Sequence, residues 1–142
     1  MFEEKQNEFQ WVEWSAFATW KNSSHVPDDF GVYQVRACVK RNQPTPTHRS
    51  CGVDYSGLLY IDEGKLGSRL GLLQYLGVAE SKEHHQFIGT FEYYRLNRIA
   101  DRELTEVRWA VVENCKLAEK ELIDAYTRQF RDLPPGNLKL GG

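Results

Sequence analysis

The sequence predicts a mixed α/β fold of the α+β kind, built as a single compact domain. Three observations point there. Runs rich in β-formers occur at residues 31–38, 58–62 and 106–113. Helical faces occur at 65–77 and 116–130. With 142 residues, 41% of them hydrophobic, the chain can bury one core without staples.

Each element has a local reason. Residues 1–26 are expected to form an amino-terminal helical arm. Three of the four tryptophans fall there, and Trp14, Phe17 and Trp20 in "EWSAFATWKN" stand near helical spacing. Pro27, Asp28 and Asp29 then break the chain. "GVYQVRAC" (31–38) alternates as a strand does, and "LLYID" (58–62) is a second strand. The two should pair as an antiparallel hairpin across a long loop, 39–57, that holds two prolines and two glycines. In "KLGSRLGLLQYLG" (65–77), Leu66, Leu70 and Leu73 share a helical face that ends at Gly77. Residues 78–104 follow neither period cleanly, with a helix expected near 86–99. "EVRWAVVE" (106–113) is the third strand. "KLAEKELIDAYTRQF" (116–130) is a helix, stopped by "DLPPGN".

Composition excludes several classes. No apolar run approaches the roughly 18 residues that a membrane span needs. The acidic start "MFEEKQNEFQW" lacks a signal peptide's apolar centre, so an intracellular, cytoplasmic protein without a membrane partner is expected. Cys38, Cys51 and Cys115 form no metal-ligand spacing and read as reduced thiols, although Cys38 and Cys51 flank one loop. The net charge is −2, yet residues 31–52 carry Arg36, Lys40, Arg41 and Arg49 and no acid. That segment permits phosphate contact, or is simply a solvated loop.

A few side chains invite chemistry. Leu122, Ile123, Tyr126 and Phe130 form the inward stripe of the last helix, and Glu119 points the same way. An inward carboxylate must be paired, metal-bound or at the wet margin of the stripe. Arg69 and Lys116 are candidate partners. Arg69 lies between Leu66 and Leu70, where a guanidinium either snorkels or grips an anion in two-point contact. Tyr33 and Tyr60 are core strand residues by default, and general-base work would require a lowered pKa. His84 and His85 find no third ligand at zinc spacing.

The order of these signals resembles the GIY-YIG nuclease superfamily over residues 27–137. "GVY" (31–33) stands for GIY and "YID" (60–62) for YIG. Arg69 follows in "LGSRL", then Glu119 in "AEKELI", then Asn137 in "LPPGN". Three departures stand out. Asp62 replaces the glycine of YIG. Leu73 stands where histidine or tyrosine is common. The two tyrosines are 27 residues apart, and the basic loop fills the gap.

The resemblance implies a three-stranded antiparallel sheet flanked by helices, with residues 27–142 as the nuclease domain and the site across one sheet face. It implies metal-dependent endonucleolytic hydrolysis of DNA phosphodiesters, RNA not being excluded. Glu119 would hold Mg²⁺ or Mn²⁺. Arg69 would neutralise phosphate charge, and Tyr60 would deprotonate or orient the attacking water with Tyr33 buttressing it. Asn137 would fix the helix end or touch the DNA backbone. Arg36, Lys40, Arg41, Arg49, His84 and His85 would bind nucleic acid. Cutting both strands would take a homodimer or two binding events. The alternatives are a silenced domain of this kind that binds nucleic acid or protein, for which Asp62 and Leu73 are the motive, and an unrelated α/β domain.

Overall fold

The computed structural model describes residues 1–16, 26–68 and 104–137. It is a mixed α/β structure with antiparallel sheets. In chain order the elements are α1 (Phe2–Gln6), β1 (Ser15–Ala16), β2 (Phe30–Lys40), β3 (Gln43–Pro44), β4 (Thr47–Arg49), β5 (Gly52–Asp54), β6 (Leu58–Lys65), β7 (Thr105–Val111) and α2 (Cys115–Phe130). Leu66 opens a helical stretch described as far as residue 68. The rest of that expected helix and the one near 86–99 lie outside the described residues.

The three long strands form at the expected places, with β2 in the centre. β6 pairs along one side, placing Tyr33 opposite Asp62 and Val35 opposite Tyr60. β7 pairs along the other, placing Tyr33 opposite Trp109. Among the described residues the sheet nevertheless has five strands rather than three. β1 adds outside β7 through Ser15 and Ala16, two residues expected to be helical. β3 folds back on the end of β2. The expected long loop is thus structured: after β3 it makes the hairpin β4–β5, turning at Ser50 and Cys51 into Gly52 (φ 95°). Strands of two or three residues are too short to show alternation, and their partners are set by tertiary contact rather than by local pattern.

Residue alternation along paired strands sorts the sheet into two faces. Val32, Ile61 and Ala110 share one face and join the core against α2, with Leu122, Ile123, Tyr126 and Phe130 buried opposite. The valine, leucine, isoleucine and phenylalanine side chains among these contribute about 1.5–3 kcal/mol each when fully buried. α2 begins at Asn114, whose side chain accepts from the Leu117 amide, and ends at Arg131 in a left-handed conformation (φ 58°).

The first sixteen residues pack against this body. Phe2 is buried in the core with its ring edge-on to Tyr126 at 5.1 Å, and its amide donates to Gln129. Arg108 faces Trp11 at 4.3 Å and Trp14 at 4.7 Å, and Trp14 also carries Arg36 at 4.2 Å. Such stacked cations contribute about 0.5–2 kcal/mol each. Burial, then the Arg36 charge, pulls the Arg108 pKa down to about 10, so it stays charged at neutral pH. Among the described residues, no helix is long and apolar enough to cross a membrane.

Candidate functional site

The site is built from the two long strands of the hairpin and from α2. Tyr33 on β2 and Tyr60 on β6 lie on the sheet face away from the α2 core, with rings tilted at 59° and centroids 6.2 Å apart. Both hydroxyls donate to the same atom, Oδ2 of Asp62, at 2.9 Å and 3.0 Å. Strand register explains this. Asp62 lies opposite Tyr33 and two residues after Tyr60, so all three side chains fall on one face.

Glu63 starts from the opposite face of β6, as a strand neighbour must. Glu119 comes from α2, on the inward stripe that the helical period assigns to it. The carboxylates of Asp62, Glu63 and Glu119 nevertheless offer oxygens that all lie within 4.8 Å of one another. Side chains from opposite faces of one strand meet around its outer side, so the acids gather at the margin of β6. Three gathered carboxylates repel one another unless protons, hydrogen bonds or a cation compensate. The trio could hold a metal ion, and all-oxygen donors suit a hard divalent cation.

Most of the group is buried: Tyr33 is 0%, Tyr60 1%, Glu119 6% and Asp62 8% exposed, while Glu63 is half-buried. Cys115, the first residue of α2, donates its thiol to Glu63 at 3.0 Å. Burial, then this hydrogen bond, raises the thiol's pKa. Asn137 lies next to the group, bonded to both backbone groups of Ile61 (Nδ2 to O, 2.9 Å; N to Oδ1, 3.1 Å). Its amide therefore anchors the segment after α2 to β6.

The structure brings Tyr33, Tyr60, Glu119 and Asn137 into one region. Arg69, His84 and His85, as well as Leu73, lie outside the described residues. The basic segment goes elsewhere. Arg36 and Arg41 both grip the buried carboxylate of Glu106, which also accepts from the Asn42 amide and the Cys38 thiol. Arg49 donates to the Leu133 carbonyl. Lys40 is exposed at the end of β2. Three of these four cations thus have partners within the protein, Arg41 with 47% of its side chain still exposed.

The hairpin β4–β5 docks on the far end of α2. The Cys51 amide donates to the Phe130 carbonyl at 2.9 Å, and Tyr126 donates to buried Asp54 at 2.6 Å. Burial, then this carboxylate, drives the Tyr126 pKa upward, so that phenol keeps its proton.

The sequence marks Asp62 as a departure from the GIY-YIG pattern, an acid that could repel phosphate or add a metal ligand, and marks no role for Glu63. The available signal was two adjacent acids at a strand end, but alternation argued against their meeting. Comparison with protein-family models, with curated proteins and with solved structures gave no match for this chain.

Proposed function

We propose that the protein is a metal-dependent endonuclease of the GIY-YIG type, hydrolysing DNA phosphodiester bonds. The observation that supports this reading is the gathering of Tyr33, Tyr60 and Glu119 around one set of carboxylates. Phosphodiester hydrolysis needs an oriented water, neutralised phosphoryl charge and a stabilised leaving oxygen. A divalent cation, Mg²⁺ or Mn²⁺, would supply charge neutralisation and a more acidic water when bound. Glu119 would hold it, with Glu63 as a further oxygen donor, and the Asp62 carboxylate lies within reach of both. Tyr60 orients the attacking water and Tyr33 buttresses it. Arg69 neutralises charge on the phosphate. Asn137 serves the site by pinning the margin of β6.

Burial favours a second reading. Tyrosines with exposures of 0% and 1% suit a domain whose catalysis is silenced and that binds nucleic acid or a protein on another surface. The deciding experiment is cleavage of supercoiled plasmid and labelled single strands with Mg²⁺ or Mn²⁺. Wild type is compared with Glu119→Ala and Tyr60→Phe. Metal-dependent cutting that both substitutions abolish is the expected result. A folded wild type that cuts neither substrate would replace the nuclease with the binding module.

A further inference from the structure

We infer that Asp62 is a positioning residue: its single Oδ2 sets the hydroxyls of both Tyr33 and Tyr60, a task that glycine at this place in the GIY-YIG pattern cannot perform. For its catalytic consequence the inference rests on the nuclease reading.

The geometry leads there in steps. Two phenols on different strands converge on one oxygen, at 2.9 Å and 3.0 Å. The tilt between the rings, 59°, brings the hydroxyl ends together rather than stacking the faces. Asp62 is 8% exposed, so its carboxylate needs donors from the protein, and the two hydroxyls supply them. Hydrogen bonds prefer a donor–hydrogen–acceptor angle above about 150°. They fix the direction of each O–H bond. A phenol that donates to Asp62 turns its oxygen lone pairs away from that carboxyl. Donation also polarises the phenol oxygen and makes it the better acceptor.

Glycine in place of Asp62 offers no oxygen. Each hydroxyl would then rotate to whatever partner it found, and the two would no longer be set by a common atom. Asp62 also ties the tyrosine pair to the acids, since it belongs to the trio with Glu63 and Glu119. A change at one end of the site is transmitted to the other through one side chain.

The test compares wild type, Asp62→Asn and Asp62→Gly, each with tyrosine labelled at the ring carbon that bears the hydroxyl. Tyr33→Phe and Tyr60→Phe assign the two signals. Thermal unfolding establishes which variants fold. In Asp62→Asn the side-chain amide oxygen can still accept, so both signals should stay near their wild-type positions. Asp62→Gly should move both. In plasmid cleavage, Asp62→Gly should lose about a hundredfold in kcat, the scale of a misplaced reacting group, with KM within about twofold. Asp62→Asn should recover most of that loss.

Unmoved tyrosine signals in folded Asp62→Gly would overturn the inference. So would movement of one signal alone, or faster cleavage by Asp62→Gly. If Asp62→Gly does not fold, Asp62→Ala takes its place, and unmoved tyrosine signals in folded Asp62→Ala would likewise overturn it. If wild type cuts nothing, the nuclease reading falls, and the two tyrosine signals still decide whether Asp62 sets both hydroxyls.

Discussion

Asn137 stands in for a neighbouring strand at Ile61, taking both the amide and the carbonyl of that residue with one side chain. Gly136 adds its amide to the Leu59 carbonyl. The outer side of β6 is thereby closed at two successive outward-pointing residues beside the acid group. Asn137→Ala would leave a buried donor and acceptor unpaired, costing about 1–3 kcal/mol. Urea unfolding should show the loss, and hydrogen exchange at the Ile61 amide should quicken more than at its neighbours.

Gly31, the first residue of "GVY", has a packing reason. A Cβ there would run into the carbonyl of Ala110 on β7 and stand 2.7 Å from Leu66 Cδ1. A backbone oxygen cannot swing aside as a side chain does. Gly31→Ala should therefore destabilise by about 1–3 kcal/mol or more, read as a lowered thermal midpoint. An unchanged midpoint would show that β2 and β7 can separate without cost.

Glu106 is fully buried and shared by Arg36 and Arg41. Burial raises its pKa, but the Asn42 amide, Arg36 and Cys38 together outweigh that and leave it below its ordinary 4.5. The folded state therefore binds this proton less tightly than the unfolded chain. The stabilisation is complete above the ordinary carboxylate pKa and is lost as pH falls through the folded value. Glu106→Gln should cost about 3 kcal/mol at pH 7, because it strands a largely buried guanidinium. It should also flatten the acid limb of a stability–pH curve.

The cysteines should separate by reactivity. Cys51 is exposed at the β4–β5 turn, whereas Cys38 and Cys115 are buried, all three as free thiols. Burial, reinforced by Glu106, raises Cys38 to about 11. Alkylation of the native protein at pH 8 should modify Cys51 first, and Cys38 only on unfolding. Simultaneous labelling of all three would contradict the described packing.

The sequence announced Glu119 because one helix carries its own ruler: a residue three, four and seven places from a buried stripe shares its face. Tyr33 and Tyr60 were placed on strands by the same kind of local period. Their meeting on Asp62 depends on register between β2 and β6, which no single strand records. Glu63 was hidden for the opposite reason, since alternation forbids the approach that the margin of β6 allows. The cations of the 31–52 segment were visible as charges. What neutralises Arg36 and Arg41 is a glutamate on β7, far along the chain and silent in any local window. Ser15 and Ala16 went to a strand because β7 offered a partner for two residues, against a spacing of aromatics that suited a helix.

The seating of Phe2 against Tyr126 has a consequence for synthesis on the ribosome. The side chain of Phe2 must wait for α2, at the other end of the described chain, before it finds its place. β2 likewise waits for β7. Contacts of such long sequence separation close late and fold slowly. A nascent chain of this protein should stay protease-sensitive until α2 has left the exit tunnel, with the unpaired side of β2 as the surface a chaperone would meet.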